Sequence, residues 1–184
     1  MKKLVLSAMM CLVAMTTTAQ VITSEIVNNA YLSASSASDS KFAYNVESDD
    51  NDYITTMNVF NKTVRQNGDI DLKPSCRYEY DYAADGMLLS RTMYAWQNEG
   101  WQCVGQLHYI LAGDLYTVEY SRWNQKTASF DAANEMMTYT LLPDSSTSNV
   151  CFYQRSLNGD SYKLSWQVSV TGQPSFDPYL LAKM

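Results

Sequence analysis

Residues 77–96 read RYEYDYAADGMLLSRTMYAW. From Arg77 to Tyr82 charge and ring alternate. In an extended chain that puts Tyr78, Tyr80 and Tyr82 on one face and Arg77, Glu79 and Asp81 on the other. Asp85-Gly86 comes next, and such a pair between alternating runs is a strong hairpin signal. A second run, Met87 to Trp96, completes the hairpin. The rings are then either the inside of a sheet or a binding surface, depending on what covers them.

The same pattern extends in both directions. Candidate strands are Phe42–Glu47, Tyr53–Thr63, Cys76–Tyr82, Met87–Gln97, Trp101–Leu111, Leu115–Asn124, Met136–Leu142, Val150–Ser156 and Tyr162–Val170. Turn chemistry separates them: Asn67-Gly68-Asp69, Asp85-Gly86, Asn98-Glu99-Gly100, Gly113-Asp114, Pro143-Asp144 and Asn158-Gly159. Short strands at close spacing indicate an all-β domain, an antiparallel meander of about eight or nine strands, strongly twisted or curled toward a half-barrel. Its core is expected to draw on Met87, Leu89, Met93, Leu107, Leu111, Val118, Leu164 and Val168. At the C-terminus, Asp177-Pro178-Tyr179-Leu180-Leu181 suits either a helical turn or an extended tail.

A shift of 27 residues brings Cys76 onto Cys103, Tyr82 onto Tyr109, Gly86 onto Gly113, Leu88 onto Leu115 and Trp96 onto Trp123. Glycine and tryptophan are scarce in this chain, so the coincidence reads as a repeated hairpin, with a degraded third copy around Asn158-Gly159, Tyr162 and Trp166. Equivalent strands of successive hairpins lie about 9.6 Å apart. A disulfide spans less than that, so a Cys76–Cys103 bridge is not expected.

The stretch YEYDYAADGMLLSRTMYAW, with the later LYTVEYSRWN, resembles a family of secreted Bacteroidales proteins known only as a domain of unknown function. It is distantly similar to the YD repeats of extracellular β-structured shells. The resemblance covers roughly residues 53–142 and implies export and an all-β fold. It implies no catalytic residue.

The N-terminus reads as an export signal. Lys2 and Lys3 precede an apolar run, Leu4 to Met15, and small residues stand at Thr16 to Ala19. That pattern is a cleavable signal over residues 1–20, too short for a membrane span. Residues 21–40 are rich in Ser, Ala and Asn and read as a linker or loosely ordered segment, with at most a short strand at Val21–Val27. Residues 41–184 form the single β domain. The expected location is periplasm, cell surface or medium.

Charge and motif narrow the chemistry. Without residues 1–20 the chain has 11 basic and 19 acidic residues, a balance of −8. That speaks against nucleic acid, which needs clustered cations. No Gly-x-Gly series occurs, so no nucleotide or other cofactor is expected. His108 is the only histidine. Simple alternation places Cys103 on the face opposite His108, so the plain reading is a strand histidine rather than a catalytic base. Asp49, Asp50 and Asp52 form an acidic run that is a weak calcium candidate, because the run lacks the glycine and distal glutamate of a calcium loop. Glu79, Asp81 and Glu119 are the carboxylates a glycosidase would need; a solvated sheet face looks the same.

The aromatic residues carry the remaining signal. Tyr94, Trp96, Trp101, Tyr120 and Trp123 are the candidate ligand-binding residues, since rings on both faces cannot all pack under one cover. The reading is an exported, non-enzymatic binding or structural protein that recognises a glycan or a protein. The alternatives are a glycoside hydrolase using an Asp/Glu pair and an assembly module pairing through an edge strand.

Overall fold

The computed structural model describes residues 21–37, 40–140, 147–156, 159 and 161–171. The expected signal at residues 1–20 and the turn at Asp177–Leu181 lie outside the described residues. A helix, α1 (Ser24–Ser36), precedes ten strands: β1 (Phe42–Ser48), β2 (Ile54–Val64), β3 (Ile70–Tyr82), β4 (Leu88–Gln97), β5 (Gly100–Ala112), β6 (Leu115–Asn124), β7 (Ser129–Phe130), β8 (Glu135–Thr140), β9 (Thr147–Arg155) and β10 (Tyr162–Thr171). They make one antiparallel sheet in the order β1-β2-β3-β4-β5-β6-β8-β9-β10, with β7 attached to β6 off that path. The meander is therefore real, and the sheet does not close into a barrel.

One face of this sheet is the core. Partners across antiparallel strands share a face, so rows can be followed from strand to strand. One row runs Val46, Met57, Tyr78, Met93, Gly105. A second runs Tyr80, Arg91, Leu107, Tyr120, Glu135, Gln154. A third runs Tyr109, Val118, Met137, Phe152, Trp166. Met57, Tyr78, Val118 and Met137 are almost wholly buried, and Tyr80, Tyr109, Tyr116 and Tyr120 belong to the same cluster. The tyrosines of β3 are thus construction material. Tyr80 and Tyr82 stack at 6.4 Å, and Tyr109 and Tyr116 at 6.3 Å.

The cover comes in part from residues that composition marked as a linker. Within them Ser24–Ser36 are helical: α1 runs for three and a half turns and buries Ser24, Val27, Ala30 and Ala34 on one side. Val27 and Ala30 enter the same core cluster as Tyr78. Backbone bonds fix its start. Ser24 N donates to Gly86 O at 2.8 Å, and Leu88 N to Ile22 O at 2.9 Å. Asn28 ties the middle of the helix to the β1–β2 turn, its Nδ2 donating to Asp52 O at 2.9 Å. Val21–Val27 therefore contributes an isolated bridge at Thr23 and then helix, not a strand.

Bulges decide which residues face the core. Asp81 pairs with Ser90 and Tyr82 with Leu88, which leaves Leu89 extra. That extra residue flips the phase of β4. Leu88 is buried where Leu89 was expected, and Met87 is half-buried. Met93, Leu107 and Val118 are core residues as expected. Leu111, Leu164 and Val168 are exposed. Leu111 sits at the end of β5, and Val168 faces the core side on β10, the last strand in the order. Leu164 lies before a bulge at Ser165, paired with Tyr153 rather than with the buried Phe152.

The 27-residue repeat is not a repeat of environment. Gly86 and Gly113 do share a positive φ at hairpin turns. Leu88, however, is buried and Leu115 exposed, while Cys76 is buried and Cys103 only partly so. The cysteines at 76, 103 and 151 are free thiols.

Candidate functional site

The outer face presents the other alternation of each strand. Arg77 pairs with Tyr94, and Trp96 with Trp101. Met93 pairs with Gly105 but Tyr94 with Cys103, so Val104 is extra. This second bulge brings Trp101 and Cys103 to the outer face while Gly105, Leu107 and Tyr109 remain inside. It also corrects the placement of Cys103 and His108. Both lie on the outer face, because the bulge adds one residue between them. They belong to different rungs, with Tyr94 and Ser90 respectively, so they form no dyad.

Tyr94, Trp96 and Trp101 make one packed group. The Tyr94 hydroxyl donates to Glu79 Oε2 at 2.7 Å. Trp96 meets Trp101 edge-on at 5.0 Å, and the Arg77 guanidinium lies 4.8 Å from the Trp101 ring centre. Arg77 Nε also donates to Asn58 Oδ1 at 2.8 Å, which fixes its stem. Of these rings Trp96 is the exposed one. Tyr120 does not join them. It is 5% exposed on the inner face, against Gly105. Its phenol is pushed up by burial and by the Glu135 carboxylate.

Trp123 stands at a different feature. The β5–β6 ladder runs only from Ala112↔Leu115 to Gly105↔Arg122. Past that rung the strands part. β5 residues Gly100 to Cys103 pair with β4 alone, and Trp123 and Asn124 pair with Phe130 and Ser129 of β7. The sheet forks at the Val104 bulge. An open groove of about 570 Å³ lies in the fork, lined by Gln97, Gln102, Cys103, Val104, Arg122, Trp123, Asn124, Gln125, Lys126 and Asp131.

The β7 side of this groove is held by short polar bonds. Asn124 Nδ2 donates to Asp131 Oδ1 at 2.9 Å, and Asn124 Oδ1 accepts from Lys126 N at 3.1 Å. Asp131 N donates to Arg122 O at 2.8 Å. Phe130 meets Trp123 edge-on at 5.0 Å, so the indole is braced from one side. Such a wall joins a π-face to carboxamides, a guanidinium and an ammonium. A ring can stack on the indole while amides exchange hydrogen bonds with hydroxyls. Composition could flag Trp123 alone, since the two-residue β7 that creates the fork is too short to leave a pattern.

The other expected sites fall elsewhere. Asp49 Oδ1 accepts backbone N–H groups of Asn51 and Tyr53, and Asp52 has a φ of 61°, so the acidic run shapes the β1–β2 turn. No group of three or more His, Cys, Asp or Glu side chains converges among the described residues. Asp81 and Glu119 share one outer row through Ser90 and His108. Their backbones are three strand steps, about 14 Å, apart. Glu79 commits an oxygen to Tyr94. None of the three lines the groove. A carboxylate that sequence reading missed is Glu135, buried on the inner face and held above the ordinary carboxyl range by burial. No helix among the described residues is long and apolar enough to cross a membrane.

Comparison with known proteins adds the fold and a family. The chain resembles a crystallised protein of unknown function from Bacteroides fragilis, with 18% identity and a TM-score of 0.58 over 71% of this chain and 92% of that one. Two crystallised members of one family, from Bacteroides vulgatus and Parabacteroides distasonis, match at 19% and 22% identity, each with a TM-score of 0.44. They cover 50% and 54% of this chain and 89% of their own length. No curated protein matches. The model of a family of unknown function, DUF3836, matches residues 1–141, and the chain belongs to that family.

Proposed function

We propose that this protein is an exported, non-enzymatic binding module that holds a glycan in the groove where β5 and β6 part. The observation that carries this reading is the fork itself. It leaves an open groove with a braced tryptophan and several carboxamides on its walls. Sugars offer an apolar ring face and a fringe of hydroxyls, and this wall supplies a partner for each. Export rests on the basic, apolar and small-residue order of residues 1–20. None of Glu79, Asp81 and Glu119 lines the groove, which weighs against a hydrolase acting there.

The test is a glycan array probed with the wild-type protein, Trp123→Ala and Trp96→Ala. Binding lost in Trp123→Ala and kept in Trp96→Ala supports the groove. Binding lost only in Trp96→Ala moves the site to the outer aromatic group. No binding to any glycan sinks the reading.

One observation favours an assembly role as the second reading. The β1–β2 ladder ends at Asn61, with one more backbone bond from Lys62 N to Lys41 O at 2.8 Å, and β4 pairs no further than Cys76 of β3. The β2–β3 hairpin beyond them carries exposed Val64, Ile70 and Leu72. A two-stranded arm with apolar side chains in water is marginal alone. Light scattering of wild type against Ile70→Lys tests it: one mass for both, at all concentrations, removes self-assembly through the arm.

A further inference from the structure

We infer that the groove selects a saccharide bearing an isolated carboxylate, such as a uronic acid unit within a short oligosaccharide. This rests on the glycan reading above and sharpens it to a substrate class. Two cations, Arg122 and Lys126, and one acid, Asp131, line the groove. Asp131 is partly engaged, since its Oδ1 accepts from Asn124. Arg122 and Lys126 are both exposed, and the ion pair found among the described residues, Arg65–Asp71, involves neither.

Their positions are set by backbone. Arg122 pairs with Gly105, which has no side chain to lie across it. Its carbonyl is bonded by Asp131 N, so its backbone is fixed at the point where the strands part. Lys126 N is bonded to the Asn124 side chain, which places the lysine on the turn closing the β7 side. Arg122, Trp123, Asn124 and Lys126 all line the groove, so a pyranose held in the fork is in reach of two cations as well as the indole. A guanidinium reads a carboxylate through two parallel N–H donors, and the ammonium adds a point charge.

The rest of the molecule limits how much charge the ligand can carry. The chain's formal net charge is −6, so a polyanion crossing the surface meets repulsion outside the groove. Inside the groove a single carboxylate meets two cations, Arg122 and Lys126, against one acid, Asp131, whose Oδ1 is engaged by Asn124. The class this geometry accepts is therefore a lightly charged saccharide rather than a nucleic acid or a densely sulfated chain.

The test uses uronic acid oligosaccharides of two to four units and the same oligomers after carboxyl reduction, which replaces the carboxylate by a primary alcohol. Calorimetric titration at low and at high salt should show the acid form binding about tenfold more tightly, with the preference shrinking as salt rises. The double variant Arg122→Gln/Lys126→Gln should bind both forms alike while keeping affinity for the reduced one. Trp123→Ala should lose both. Equal binding of acid and reduced forms by the wild type overturns the inference, as does a preference that survives the double substitution. If uronic acid oligomers fail while neutral glycans bind on the array, the carboxylate inference falls and the glycan reading stands. If no saccharide binds, both fall.

Discussion

Gly105→Ala separates local propensity from packing, because the two give opposite signs. Glycine inside a strand costs roughly 0.5–1 kcal/mol relative to alanine, so propensity alone has the substitution stabilise the protein. The structure says otherwise. A Cβ built at Gly105 would lie 2.6 Å from Tyr120 Cε2, 2.7 Å from the Tyr120 hydroxyl and 2.8 Å from the Ser121 carbonyl oxygen. Ordinary carbon contacts sit near 3.5–4.0 Å. Tyr120 cannot swing clear at little cost, since it is buried and paired with Glu135. The Ser121 oxygen is backbone of the neighbouring strand. Overpacking of this kind costs roughly 1–3 kcal/mol, so after the propensity gain the expected loss is about 1–2 kcal/mol. For a chain of this size that lowers Tm by roughly 2–8 °C. Urea unfolding followed by tryptophan fluorescence reads it directly. Gly105→Ala combined with Tyr120→Leu should cost about 1 kcal/mol less than the separate losses summed, since the ring clash is removed once. A Gly105→Ala protein more stable than wild type would refute the described packing of Tyr120 over this glycine.

Three further outcomes are expected. Arg91 is buried against the Tyr78 ring, 5.3 Å from its centre, and its Nε has no hydrogen-bond partner; Arg91→Met should leave stability unchanged or raise it by up to about 2 kcal/mol, and a loss of more than about 1 kcal/mol in urea melts would show that its contacts outweigh the cost of burying it. Burial raises the Glu135 pKa, with the Gln154 side chain opposing, so the folded state holds that proton more tightly than the unfolded chain. Its contribution is then full below the ordinary carboxyl range and lost as pH rises through the folded pKa; Glu135→Gln should flatten that arm of the stability–pH curve and be the more stable protein at pH 7, and an unchanged curve counts against it. Cys76 is buried while Cys103 and Cys151 are only partly so, so iodoacetamide should label Cys103 and Cys151 well before Cys76 in the native protein, as read by peptide mass.

Strand existence was written plainly in this chain. Asp85-Gly86 and the tyrosine alternation of β3 are local signals, and hairpins are local structures. Phase was not. The Leu89 and Val104 bulges arise from pairing between strands, and each displaces the inside–outside pattern of the residues beyond it. Reading β4 by simple alternation therefore selects Leu89 over Leu88, and reading β5 that way separates Cys103 from His108. The helix was hidden for another reason. Its buried stripe is Val27, Ala30 and Ala34, and alanine gives a hydrophobic period almost no amplitude. Around the groove, Trp123 was legible as a scarce ring at a strand end. Arg122, Gln102 and Asp131 were not, because only the parting of β5 from β6 brings them to one place.

That parting also separates what must stay constant from what can change. Residues 100–103 and 123–131 share no ladder bonds across the fork. Side-chain substitutions on either prong, and length changes in the 123–131 prong, leave the rungs from Gly105↔Arg122 to Ala112↔Leu115 in register, whereas residues 100–103 stay laddered to β4. Side chains free to diversify over a fixed frame are the means by which one scaffold acquires many specificities. In this fold, variation among relatives should therefore concentrate on the prongs while the tyrosine rows of the inner face are kept.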